Sequence, residues 1–90
     1  MVSFYDNLSA EDVTALDGLS RLMLELRDSR AQLLARYAAS DEMDLLERIR
    51  TGVVAEHPAY EDYLGALGIE VMREHLRQEI KDYMAEIGQR

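Results

Sequence analysis

His57 and His75 are the only histidines in the chain. Together with nearby acids they form the one set of residue types that could hold a metal, since imidazole and carboxylate suit zinc, iron and manganese. A carboxylate-bridged di-iron bundle places a Glu three residues before each His, so that both ligands leave the same helix face. Here those positions hold Val54 and Met72, and the signature is missing at both sites. Glu56 beside His57 and Glu79 one turn after His75 remain as candidate ligands. With Glu25, they would make an oxidase-like, ferritin-like site only if subunits combined. A surface ion pair is the ordinary explanation for acid and imidazole four residues apart.

Nucleophilic chemistry has less to work with. The chain has no cysteine, which excludes disulfides and thiolates and suits a cytoplasmic setting. Ser3, Ser9, Ser20, Ser29 and Ser40 fall where helix caps or helix surfaces explain them. Gly65 and Gly68 stand alone in an apolar helical pattern, so no glycine-rich loop exists to cradle phosphate. Glu61 and Asp62 are adjacent in sequence and diverge on a helix. No catalytic residue and no cofactor is expected from these patterns.

Arg30 interrupts an apolar stripe, and two readings compete for it. Its stem could lie on the core while the guanidinium reaches water, or it could pair with a carboxylate on a facing helix and set register. The cost of burying an unpaired charge favours the first. Five tyrosines against one Phe and no Trp suit half-buried and interface positions, where a ring packs and a hydroxyl stays hydrated.

The elements that must position these groups are legible from periodicity. Leu16, Leu19, Met23, Leu26, Arg30, Leu33 and Tyr37 recur at alternating spacings of three and four, wherever the interval is filled, along one stripe of a helix spanning about 9–39. Leu22 and Leu34 widen the stripe to a bundle-type face, and Leu24 is apolar outside it. Ser9 is the expected N-cap, with Glu11 and Asp12 in the first turn where the helix dipole favours negative charge. Gly18 is the weak point, permitting a kink or a close helix approach. Ser40-Asp41 offers a new cap for a second helix near 42–51, with Met43, Leu46, Ile49 and Val53 on its apolar face and Gly52 as its left-handed terminator.

Pro58 fits the first position of a third helix, over 58–67, with Tyr60, Tyr63, Leu64 and Leu67 as its apolar face. Gly68 is expected to end it through a Schellman-type turn. A further helix over 69–87 would carry Met72, Leu76, Ile80, Tyr83 and Ile87. Phe4, Tyr5 and Leu8 precede the first helix and could pack back on the body. The fold class is all-α: one domain over 1–90, a helical bundle built on the long N-terminal helix with two or three shorter helices.

Charge narrows the functional classes. Eighteen acids against ten bases give a net charge of −8. That field repels phosphate backbones, so no nucleic-acid binding is expected. Short, charge-interrupted apolar runs exclude a membrane span, and residues 1–6 lack the pattern of a signal peptide. What remains is a small acidic, non-enzymatic helical protein acting through a protein surface, with a basic protein as a possible partner. The alternatives are the metal-binding bundle described above and an acidic decoy of a nucleic-acid-binding protein.

A helix of 31 residues would be about 46 Å long, whereas a compact domain of this size is roughly 30 Å across. Short helices could not cover it, so a two-fold dimer is expected, with Leu16, Leu19, Met23, Leu24, Leu26, Arg30, Leu33 and Tyr37 at the interface. A kink at Gly18 would instead give a compact monomer.

Overall fold

A computed structural model describes residues 5–90. The described chain is all-helical: a 3₁₀ turn at Tyr5–Asn7, then α1 (Ala10–Ala35), α2 (Glu42–Arg50) and α3 (Glu56–Gly88). Phe4 and the side chain of Tyr5 lie outside the description, while Leu8 is half-buried. The long helices run antiparallel, giving a body of 59 × 17 × 16 Å.

Local chemistry sets each helix start. Ser9 is extended, and its hydroxyl accepts the Asp12 amide at 3.0 Å while the Asp12 carboxylate accepts the Ser9 amide at 3.0 Å. Two orphan donors of the first turn are thereby satisfied reciprocally. Asp41 caps α2, its Oδ1 accepting the Asp44 amide at 2.7 Å, while the Asp44 carboxylate accepts the Ser40 amide at 2.9 Å. Beyond α2, Gly52 takes φ +78°, the left-handed geometry expected of a helix terminator. At the start of α3, His57 is extended (φ −112°, ψ 124°), so regular helix begins at Pro58, after a cis peptide bond.

Four expectations are corrected. First, α1 ends at Ala35, not near Ala39. Tyr37 and Ala38 donate to the carbonyls of Leu34 and Ala35, and Ala38 itself is left-handed at φ +52°. Second, Gly18 and Gly68 break nothing: both lie within continuous helices, so the separate helices 58–67 and 69–87 are one element of 33 residues. At 1.5 Å per residue α3 is about 50 Å long, enough to run the whole length of α1. The shortage of covering helix from which a dimer was expected does not exist, and neither does the kink that would have made a compact monomer.

Third, the buried face of α2 is not Met43–Val53. Met43 and Val53 are exposed, Leu46 and Ile49 are half-buried, and the wholly buried residue is Leu45. Fourth, the first half of α3 turns small residues to the core, while its second half follows expectation, with Leu76, Ile80 and Tyr83 half-buried and Ile87 wholly buried. Ala59 and Ala66 are fully buried beside Leu34 and Leu45, whereas Tyr60, Leu64, Leu67 and Met72 are exposed. The reason is close approach. Leu33 lies 3.5 Å from where a Cβ on Gly65 would sit, an ordinary van der Waals contact, so α1 rests directly on this small-residue side of α3. Leu33, Tyr37, Ala39, Ile49, Val54 and Tyr63 close around this cluster.

Candidate interaction surface

The antiparallel pair is clasped at three levels, each by a carboxylate. At the open end, Asp12 is buried at 3% exposure. Tyr83 donates to its Oδ1 at 2.7 Å and Arg90 to its Oδ2 at 2.6 Å. The Ser9 amide, Arg90 and Tyr83 together hold the Asp12 carboxyl well below the usual range, and the same contact raises the Tyr83 hydroxyl above 10. Asn7 adds a bond from its side-chain amide to the Ile87 carbonyl at 3.1 Å. At the closed end, the Tyr37 hydroxyl donates to Asp62 at 2.5 Å, which raises the Tyr37 pKa, and Arg36 stands 3.5 Å from the same carboxylate.

Between these lies Arg30. It donates to both oxygens of Glu42, at 2.5 and 3.0 Å, and comes within 3.3 Å of Glu70. Glu70 in turn accepts from Arg73 at 2.7 Å. Arg30 is therefore paired across helices and not simply snorkelling, a correction to the preferred expectation. The reason is that α2 folds back so that Glu42, itself buried, meets the guanidinium with fork-to-carboxylate geometry. The resulting chain of four charges ties α1, α2 and α3 together.

All nine arginines of the sequence lie against carboxylates. Among them are the surface pairs read from spacing: Asp17–Arg21 at 2.9 Å, Asp44–Arg48 at 3.4 Å, Glu47–Arg50 and Glu74–Arg77. Guanidiniums committed in this way leave little cationic surface for phosphate.

The candidate metal ligands are not brought together within one chain. His57 is exposed and shares a 2.8 Å contact with Glu61. His75 stands eighteen positions further along α3, about 27 Å away at helical rise. Glu25, Glu56 and Glu79 are exposed. No group of three possible ligand residues occurs among the described residues.

The expected interface residues divide. Leu16, Leu19, Met23, Leu26, Arg30 and Leu33 are half-buried along α1, the helix that packs lengthwise on α3, and Tyr37 is half-buried in the turn beyond it. Leu24 alone is exposed, at 51%.

A different apolar surface emerges. Tyr60, Leu64, Leu67 and Val71 recur at spacings of four, three and four, so they form one line on α3, and each is 38–59% exposed. Val71 joins this line to a shallow groove shared with Met72, His75 and Leu76 of α3 and Leu22 of α1. Sequence periodicity marked most of these residues as apolar but assigned them to the interior. The signal that separates the two α3 faces is the small-residue pair Ala59 and Ala66, which marks the side where another helix comes close.

No described helix is long and apolar enough to cross a membrane. No curated protein and no solved structure matches the chain. A family model matches residues 7–87, most of the sequence, and the chain belongs to the Uncharacterized protein MJ0235 family.

Proposed function

We propose that the protein is a non-enzymatic helical interaction protein that works through the apolar face of α3. One observation carries this: the Tyr60–Val71 line and the groove at Leu22, Val71 and Met72 form a continuous apolar surface outside the chain's own core. Large connected apolar patches mark contact sites on soluble proteins. The amphipathic tyrosine at its end suits an interface.

The acidic-decoy alternative has less support, because much of the negative charge is spent on internal arginine pairs. Glu11, Glu25, Glu56, Glu79 and Glu86, which have no ion-pair partner among the described residues, are scattered over both long helices. A metal-binding alternative would need ligands from several subunits, since one chain keeps its two histidines far apart.

The test is a photo-crosslinking amino acid placed at Leu67 and, separately, at Val13 in the living host. Leu67 should give a discrete protein adduct and Val13, exposed elsewhere on α1, should not. Equal labelling at both sites, or none at either, would contradict the assignment.

A further inference from the structure

Resting on that reading of the α3 face, we propose that its occupant is a second copy of this chain, docked about a two-fold axis so that two hairpins become a four-helix bundle. Three observations favour a like copy over another partner.

The first is area. A folded monomer of 10.3 kDa ordinarily exposes about 5,400 Å², whereas this chain exposes 6296 Å². The excess of about 900 Å² is close to the ~800 Å² per partner of a standard stable interface. The second is shape. A compact domain of 90 residues has a radius of gyration of about 12 Å, but here it is 18.1 Å. Only Leu34, Leu45, Ala59, Ala66 and Ile87 are fully buried apolar residues among those described. Two antiparallel long helices make half of a four-helix bundle, and the missing half has the same length as the first.

The third is charge. The chain carries −8 overall, yet Leu22, Tyr60, Leu64, Leu67, Val71 and Met72 include neither an acid nor an arginine. Glu74, next after Val71 along the same line, is paired with Arg77, so two copies can meet on this face with that acid already offset by its own arginine. A basic partner would be drawn to the acidic surface outside it. A two-fold interface is self-complementary, the same patch on each side, and a line of aliphatic side chains fulfils that condition.

The experiment is light scattering of the purified full chain between 1 and 100 µM (on the order of working interface affinities), with Leu67→Glu, Val71→Glu and Val13→Glu alongside. Wild type and Val13→Glu should give twice the chain mass of 10.3 kDa. Each α3 variant should weaken association at least about a hundredfold, with its helical circular dichroism retained below the dissociation range. Added salt should strengthen the wild-type dimer, because it screens repulsion between two acidic copies. A wild-type chain that stays monomeric throughout overturns the inference. So does a dimer indifferent to both α3 substitutions, or one that salt dissolves.

The Leu67 crosslink separates this inference from the reading beneath it. An adduct of twice the chain mass supports both. An adduct of any other mass overturns the second copy and leaves the interaction face standing. No adduct overturns both.

Discussion

Arg30 and Glu42 meet through two hydrogen bonds, and that pair joins α1 to the first turn of α2 with both side chains mostly shielded, at 24% and 12% exposure. Removing Arg30 leaves Glu42 shielded and uncompensated, which costs about 3–5 kcal/mol when burial is complete, whereas removing Glu42 leaves Arg30 with Glu70 at 3.3 Å. Residual exposure reduces this. Arg30→Met should destabilise by about 2 kcal/mol and Glu42→Leu by less, because Glu70 remains beside the guanidinium. The double variant should recover most of the loss, giving a coupling of about 1 kcal/mol or more in urea unfolding. Strictly additive losses would show that the pair is not a unit.

Asp12 and Tyr83 define the pH range. The Asp12 carboxyl is depressed in the folded state, so its contribution is complete above the ordinary value of 3.8 and is lost as pH falls below it. Tyr83 and Tyr37 are raised above 10, so the stability from their neutral hydroxyls is complete below pH 10 and fades as pH climbs through the raised values. Thermal unfolding should therefore show a plateau between about pH 4 and 10. Asp12→Asn should lower the neutral-pH midpoint by on the order of 5 °C and flatten the acid limb. Tyr83→Phe should soften the alkaline one. An unchanged acid limb in Asp12→Asn would exclude the clasp.

Ala38 ends the first helix in a left-handed conformation, at φ +52°. An L-residue there carries roughly 1–2 kcal/mol of steric cost, and glycine avoids it at the expense of about 0.5–1 kcal/mol of chain entropy. Ala38→Gly should raise stability by about 0.5 kcal/mol, read as a higher urea midpoint at constant slope. A loss would mean that this turn favours alanine.

How much of this was legible follows from the kind of signal each feature leaves. Ser9, Asp41 and Gly52 act through their own backbone chemistry, so caps and the left-handed stop could be read locally. The α1 stripe was visible because periodicity records a buried face directly. The end of α1 at Ala35 was not, since Tyr37, Ala38 and Ala39 have no local reason to leave a helix. Their geometry comes with Tyr37 bonding to Asp62 and Ala39 packing on the core, contacts 20 or more residues away in the chain for the first of them. Arg30 was noticed as an anomaly, but its partner depended on where α2 folds.

The faces of the first half of α3 were inverted for a related reason, whereas Leu76, Ile80, Tyr83 and Ile87 turn inward as their spacing indicates. Large apolar residues are the usual sign of a core, and here the core takes Ala59 and Ala66 while Leu64, Leu67 and Val71 point elsewhere. The helix carries two apolar stripes, one inward and one exposed, and periodicity alone does not rank them.

Methionine oxidation by dilute peroxide, followed by mass spectrometry, tests the central claim with a control built into the chain. Met72 lies on the proposed face at 52% exposure, and Met43 lies on α2 at 68%. In the isolated fold the two should oxidise at similar rates. If the face is occupied, Met72 should fall several-fold behind Met43 as protein concentration rises, and Val71→Glu should restore it. Parallel oxidation of both methionines at every concentration would contradict the account.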